Sequence, residues 1–84
     1  MKIEIITPDQ KVYEGDIKSV RVPGSKGSFQ VLKDHAPIVS TLDKGPVIVV
    51  DQAGNVLNYE ITGGVIEVKM NHIILLAESI AVAS

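Results

Sequence analysis

The sequence contains no cysteine and no tryptophan, and its aromatic residues are two tyrosines and one phenylalanine among 84 positions. The absence of cysteine excludes a disulfide framework, a zinc ribbon and a thiol nucleophile. The scarcity of aromatics argues against a surface on which nucleic-acid bases stack. Positive charge is not in excess either, since ten acidic and eight basic residues give a formal net charge of −2. Because nucleic-acid-binding proteins carry a basic face, we expect no nucleic-acid partner.

Long apolar runs are missing as well. The longest uncharged ones, Pro46–Val50 and Ile73–Ala77, are far shorter than the roughly 20 residues that a membrane-spanning helix needs. Near the N-terminus, Glu4 and Pro8 interrupt the apolar residues, so we expect no signal-peptide core. The remaining composition, 45% hydrophobic and 21% charged, is that of a globular protein, and the length predicts one domain over residues 1–84.

Apolar residues recur at every second position rather than with the period of a helix. The clearest stretch is 57–62, where Leu, Tyr and Ile alternate with Asn, Glu and Thr. Such alternation is typical of a strand with one face in a core and the other in water. Turn residues divide the chain at short intervals, and Asp51–Asn55 and Met70–Asn71 are predicted hairpin loops. The pattern predicts about eight to ten short strands in a sandwich or a small barrel.

Two places predict local irregularity. Ile17 and Val20 are out of phase within one strand pattern, so we expect a β-bulge near Gly15 or Lys18. The end of the chain, residues 77–84, predicts either a single helical turn or a frayed terminus.

Two segments, Val47–Val50 and Ile73–Leu76, carry branched aliphatic residues on both faces. The outer faces of an antiparallel sandwich normally meet water, so these strands need a cover. Either another part of the chain supplies it, or one sheet surface docks onto another protein. A contiguous exposed apolar patch usually marks an interface, and a chain this short has little sequence to spare for a cover.

Candidate catalytic and metal-binding residues are few. The two histidines, His35 and His72, lie in separate elements, and Asp34 next to His35 does not provide the three or four ligands that zinc requires. A triad can be written with Ser28 or Ser40, but adjacent Asp34 and His35 side chains point in opposite directions on an extended chain. We therefore expect no catalytic residue and no metal site, and a structural role for His35.

Two further motifs have a structural interpretation beside a functional one. Gly24–Ser28 has the composition of a phosphate-binding loop but neither its residue order nor a following helix pattern, so we expect a surface turn. Lys69, followed by Met70 at a predicted hairpin, resembles the modified lysine of biotinyl carrier domains, although only one methionine flanks it. Lys69 is also in phase as a solvent-facing strand residue, and the carrier function stays an alternative.

The segment Gly27–Val39 resembles a loop of the epsilon subunit of F-type ATP synthase, which is called delta in mitochondria. The shared pattern is a glycine, an apolar strand and then His-Ala-Pro, at 35–37 here. The resemblance continues in order along the chain, and the ordered set is specific although no single motif is. The other matching segments are 5–8, 12–15, 20–24, 44–47, 63–68 and 75–78.

The resemblance implies a ten-stranded antiparallel β-sandwich at the foot of the rotary central stalk. It implies a non-catalytic rotor subunit that clamps the gamma subunit to the membrane ring of c subunits and helps to couple proton flow to ATP synthesis. The location it implies is peripheral to the energy-coupling membrane, on its cytoplasmic side and through partners. No cofactor and no nucleotide are expected.

Family positions carried over to this sequence give two sets of contacts. Residues expected on the c-ring side are Ser28, Gln30, Lys33 and Asp34. Residues expected on the gamma side are Thr7, His35 and Ser40, together with one apolar sheet face formed by Ile48, Val50, Ile74 and Leu76. The double-sided apolar pattern predicts that face, whereas the identity of its partner comes from the resemblance.

The sequence departs from the family in two ways. Many relatives have Pro-Gly or Pro-Asn where this chain has Lys33-Asp34, so we expect ring contacts that depend more on charge. Family members often continue into a two-helix hairpin that can inhibit rotation and, in some, bind ATP; the sequence reaches Ser84 without it, and we assign neither role to these residues. A protein-binding β-sandwich from an unrelated assembly is the other alternative.

Overall fold

A computed structural model describes residues 1–83, which form nine β-strands and no helix. Most strands are short and follow one another through tight turns, whereas the second strand is long. The strands are β1 (Lys2–Ile6), β2 (Lys11–Val22), β3 (Phe29–Leu32), β4 (Ile38–Leu42), β5 (Gly45–Asp51), β6 (Val56–Ile61), β7 (Gly64–Lys69), β8 (His72–Ala77) and β9 (Ile80–Ala83).

The strands form two sheets that share the long strand β2. Its first half pairs with β1, in a sheet ordered β4-β7-β8-β1-β2, which we call sheet A. Its second half pairs with β3 and β5, in a sheet ordered β3-β2-β5-β6-β9, which we call sheet B. The register of β2 against β5 shifts between Ile17 and Ser19, which confirms the predicted bulge near Lys18. Because a bulge bends a strand and increases its twist, it suits the point where β2 passes from one sheet to the other.

The all-β class is confirmed, but three details of the prediction are wrong. There are nine strands in residues 1–83, which agrees with the predicted eight to ten but is one fewer than the ten that the resemblance implies, and Gly24 forms only an isolated bridge to Leu42. The sandwich is not wholly antiparallel, since β1 and β8 run parallel. The predicted helical turn or frayed end is a strand instead, in which Ile80 pairs with Ile61; Ser84 lies outside the described residues.

The predicted hairpin loops are confirmed. Met70 and Asn71 have φ values of 50° and 60°, the left-handed pair that a two-residue hairpin turn requires. In the loop between β5 and β6, the Asp51 carboxylate accepts a hydrogen bond of 2.8 Å from the Asn55 N–H. This bond helps to lower the pKa of Asp51, since it favours the charged form.

The inner faces of the two sheets share one apolar core. Each sheet contributes aliphatic side chains with no exposed surface, such as Ile3 and Leu75 from sheet A and Val20 and Val49 from sheet B. Burial of such a side chain contributes roughly 1.5–3 kcal/mol to folding. Because alternate residues of these strands fill the core, the residues between them face outward.

Candidate docking surfaces

The outward-facing residues of sheet A form rows that cross the strands. In one row Val65 pairs with Leu76, and Leu76 pairs with Ile6; in the next, Ile74 is two strands away from Val39. Side chains in directly opposed positions lie on the same face and contact each other. These rows therefore bring five apolar side chains together on one face. We call this set, Ile6, Val39, Val65, Ile74 and Leu76, the sheet A patch.

The sheet A patch is not covered by any other part of residues 1–83. Val39 is 69% exposed and Leu76 is 49% exposed, whereas the neighbouring Leu75 in the same strand is fully buried. Four of the five patch residues line a shallow depression of about 200 Å³. An exposed cluster of aliphatic side chains on so small a domain is typical of a docking surface.

A network of charged side chains borders the sheet A patch on its β1–β2 side. Glu14 contacts the Lys2 ammonium at 2.9 Å and the Lys11 ammonium at 3.0 Å. Glu4 contacts Lys11 at 3.1 Å and the His72 Nε2 atom at 2.9 Å. The hydrogen bonds from Lys2 and Lys11 lower the pKa of Glu14 to about 2, and those from Lys11 and His72 lower the pKa of Glu4. The carboxylates of this border are therefore held in their charged form.

The predicted apolar face of four residues is wrong, because the structure divides it between the two sheets. Ile74 and Leu76 lie on β8 in sheet A, whereas Ile48 and Val50 lie on β5 in sheet B. Since the inner faces of both sheets share one core, the two pairs point away from opposite sides of the sandwich. The segments 47–50 and 73–76 have the same apolar pattern, and only strand pairing decides which sheet each one joins.

The outer face of sheet B has an apolar row of its own. Ser19 of β2 pairs with Leu32 on one side and Val50 on the other, and Val50 pairs with Val56. Leu32 is 52% exposed and Val56 is 56% exposed, while Ser19 between them is buried. Both outer faces of the sandwich thus carry exposed aliphatic residues, but only in sheet A do they extend over two adjacent rows.

The structure brings three of the predicted contact residues together at a cleft of about 760 Å³ between Gly24–Phe29 and β4. Ser28, from the predicted ring set, lines this cleft together with His35 and Ser40, from the predicted gamma set. Thr7 is not part of it; Thr7 lines a second cleft of about 610 Å³ together with members of the sheet A patch.

The imidazole of His35 forms a hydrogen bond within its own loop. Its Nδ1 atom lies 2.7 Å from the carbonyl oxygen of Ala36. Since a carbonyl only accepts hydrogen bonds, Nδ1 carries the proton in this pair and Nε2 is the free ring nitrogen. The Asp34 carboxylate accepts from Asn71 rather than from His35, so these residues do not form a catalytic triad.

The other residues predicted to contact the c-ring differ in whether hydrogen bonds within the chain already hold them. Asp34 has a φ of 64°, its N–H donates to Asn71 Oδ1 at 2.7 Å, and its carboxylate accepts from Asn71 Nδ2 at 2.9 Å. These bonds tie the β3–β4 loop to the β7–β8 hairpin. Lys33 is exposed and forms no ion pair with residues 1–83, and Gln30 is exposed on β3 opposite Arg21.

Within residues 1–83 there is no group of three or more His, Asp or Glu residues placed to hold a metal ion. In the same part of the chain, no helix is long and apolar enough to cross a membrane. Lys69 is an exposed residue at the end of β7, next to Met70, whose side chain is 84% exposed.

Sequence reasoning missed three members of the sheet A patch, namely Ile6, Val39 and Val65. A signal for them was present, since each stands next to an apolar residue that faces the core, as Ile6 does beside Ile5. Neighbouring aliphatic residues in a strand place one on each face. Such pairs, in addition to the longer runs, indicate strands with an apolar outer face, and they occur in sheet B as well, for example at Val31 and Leu32.

A sandwich with a filled core and exposed aliphatic residues on both outer faces defines an all-β domain with candidate docking surfaces. The family described as "ATP synthase, Delta/Epsilon chain, beta-sandwich domain" matches residues 1–83. The chain belongs to this family, and the match gives no support to the biotinyl-carrier alternative.

Curated relatives agree with this assignment. The chain is 36% identical to the ATP synthase epsilon chain of Salinibacter ruber, a match that covers 100% of the chain and 62% of that relative. It is 39% identical to the epsilon chain of Chlorobaculum tepidum, covering 94% of the chain and 90% of the relative. Several of the curated relatives it matches are thus longer, and the chain spans about three fifths of their length.

Two solved assemblies contain the same fold. A chain of the Euglena gracilis mitochondrial ATP synthase superimposes with a TM-score of 0.90 at 18% identity, covering 95% of this chain and 51% of that one. A chain of the Tetrahymena thermophila mitochondrial ATP synthase, in its central stalk and c-ring, superimposes with a TM-score of 0.80 at 14% identity, covering 96% and 65%. At these identities the likeness is evidence for the fold alone.

Proposed function

We propose that this domain is a non-catalytic rotor subunit in the central stalk of an F-type ATP synthase. It clamps the gamma subunit to the c-ring and helps to couple proton flow to ATP synthesis. Family membership supports this proposal, as do the relatives named ATP synthase epsilon chain. The single observation that carries the mechanical role is the sheet A patch, because its uncovered aliphatic side chains require a partner.

In this proposal the gamma subunit packs on the sheet A patch. Removing Val39 and Leu76 from water supplies the apolar part of the contact, and Thr7 lies at its border. His35 and Ser40 line the next cleft along β4, where polar groups of gamma can reach them. An interface of standard size, about 1,600 Å² in total, suffices for stable attachment.

The ring side of the proposal depends on the turn after Gly24 and on the β3–β4 loop. Ser28 in the turn, Gln30 on the adjoining strand β3 and Lys33 in the loop are exposed and can meet the polar loops of the c subunits, although the Ser28 hydroxyl also accepts a hydrogen bond of 3.4 Å from Arg21. Asp34 acts less as a free contact than as an anchor, because its hydrogen bonds to Asn71 fix the loop. The domain is then peripheral to the membrane, on its cytoplasmic side, and attached through these partners.

The outer face of sheet B is the second candidate for gamma, because Leu32 and Val56 are exposed there. The chain offers a matched pair of variants that separates the two faces. Ile74 on sheet A and Ile48 on sheet B are both half-buried, outward-facing isoleucines in the interior of a sheet.

The test is co-expression of the chain with the gamma subunit from the same source, followed by affinity purification. We expect Ile74→Asp to abolish co-purification of gamma and Ile48→Asp to preserve it, with circular dichroism showing that both variants are folded. The reverse pattern would assign gamma to sheet B. Full retention of gamma by both variants would refute docking through an apolar sheet face and, with it, the proposed clamp.

A further inference from the structure

One charged residue lies between members of the sheet A patch. Glu67 of β7 pairs with Val39 of β4 on one side and with Ile74 of β8 on the other. Val65 precedes it on the same face of β7. Because β7 lies between β4 and β8, Glu67 has apolar side chains on three sides, while Lys69 follows it on the same face of β7.

The carboxylate of Glu67 has no partner among residues 1–83. The ion pairs of sheet A all use Glu4 or Glu14, and Glu67 takes part in none of them and in no side-chain hydrogen bond. The nearest cation along its own strand, Lys69, also faces outward but makes no ion pair with it. In the free domain water solvates this carboxylate at little cost.

Docking of a partner on the sheet A patch changes the solvation of the Glu67 carboxylate. A partner that covers Val39 and Ile74 also removes water from Glu67, which lies between them. Burying an unpaired carboxylate is strongly unfavourable, whereas a buried carboxylate with a hydrogen-bonded cation is tolerated. The chemistry of this face therefore constrains the surface that fits it, since an apolar surface alone would leave Glu67 unpaired.

We propose that the subunit seated on the sheet A patch presents a basic residue to Glu67 from within its own apolar contact surface. This inference rests on the proposed function and names the chemistry of the partner surface. Arginine suits the position better than lysine, because its planar guanidinium binds a carboxylate in a bidentate manner and is more weakly hydrated. The pair fixes the register of docking, which apolar contacts alone specify poorly.

The chain contains a matched control for this pairing. Glu60 on β6 is an exposed, outward-facing carboxylate in a sheet interior, between Pro46 and Ala81, and it forms no ion pair with residues 1–83. It differs from Glu67 in lying on sheet B. Replacing either residue by leucine removes one charge and adds the same apolar volume to an exposed strand position.

The experiment measures the dissociation constant of the 84-residue chain for purified gamma subunit from the same source, at low and at moderate salt. We expect Glu67→Leu to weaken binding about tenfold or more and to reduce the salt dependence, because the partner cation loses its counter-charge. Glu67→Gln, which keeps size and polarity, should weaken binding in the same direction. Glu60→Leu and Lys69→Ala should bind like the unaltered chain, and urea unfolding of each variant shows that it is folded.

The outcomes separate this inference from the proposed function. If gamma binds the unaltered chain and Glu67→Leu binds equally well or more tightly, no cation faces Glu67 and the inference is overturned alone. If Lys69→Ala weakens binding as much as Glu67→Leu does, the counter-charge comes from this chain, and the inference is also wrong. If the unaltered chain does not bind gamma at all, both the inference and the proposed function fail.

Discussion

Two adjacent leucines in β8 offer a direct test of which face of sheet A is the core. Leu75 is fully buried and pairs with Ile5 and Ile66, both of them core residues. Leu76, one residue later, is 49% exposed and pairs with Ile6 and Val65 of the sheet A patch. Because the two residues are identical and share one strand, their truncation compares the two faces with little else changed.

The two truncations are expected to lower the free energy of unfolding by different amounts. Leu75→Ala removes buried carbons and leaves a cavity between the sheets, which costs about 3 kcal/mol within an observed range of roughly 2–5 kcal/mol. Leu76→Ala removes the same carbons from a half-exposed site, and at about 0.8 kcal/mol per buried methylene the loss is about 1 kcal/mol. For a domain of this size, each kcal/mol lowers the melting temperature by roughly 4–8 °C.

The assay is equilibrium unfolding in urea, with thermal unfolding as a second probe and gamma binding as a third. We expect Leu75→Ala to lower the melting temperature by about 12–24 °C and Leu76→Ala by about 4–8 °C. Only Leu76→Ala should weaken gamma binding in conditions where both variants are folded. Equal destabilisation by the two variants would show that Leu76 packs in the core and would refute the assignment of the sheet A patch.

Three further predictions concern single residues. Gly64→Ala should destabilise the domain by about 1–3 kcal/mol in urea unfolding, because a Cβ there would collide with the carbonyl oxygen of Leu76; an unchanged midpoint would contradict that packing. The pKa of Glu14 is lowered from 4.5 to about 2, so its stabilising effect is complete above pH 4.5 and is lost as the pH falls towards 2. Glu14→Gln should therefore flatten the dependence of unfolding free energy on pH over that range, and an unchanged slope would contradict the ion pairs. Lys33→Glu should weaken the coupling of ATP hydrolysis to proton pumping in the assembled enzyme, with Lys18→Glu as an exposed control, and full coupling would remove Lys33 from the ring contact.

The local parts of the fold were predictable from the sequence because their causes are local. Alternation of apolar and polar residues follows from the two-residue period of a strand, and it identifies buried residues such as Tyr59 and Ile61. The turn at Met70–Asn71 requires positive φ values, for which asparagine is suited. The bulge near Lys18 follows from a break in the alternation that regular pairing cannot accommodate.

The allocation of strands to sheets was not predictable in the same way. The segments 47–50 and 73–76 look alike, yet they face opposite sides, because β5 pairs with β2 and β6 while β8 pairs with β1 and β7. The parallel pairing of β1 with β8 joins the first strand to the last but one, and it has no local signature. Long-range pairing of this kind also forms the sheet A patch, so its membership could be completed only from the structure.

A subunit that transmits rotation must keep its contact regions fixed relative to each other, because movement between these regions reduces the rotation that is transmitted. In the proposed function these regions are the sheet A patch and the loops on the ring side. Asp34 and Asn71 join the β3–β4 loop to the β7–β8 hairpin of sheet A through two hydrogen bonds. The Thr41 hydroxyl donates to Ser25 Oγ at 2.9 Å, which ties the turn after Gly24 to β4. The β3–β4 loop is therefore anchored to the β7–β8 hairpin and the turn after Gly24 to β4, so a load applied to either one passes into the sheet on which gamma is proposed to sit.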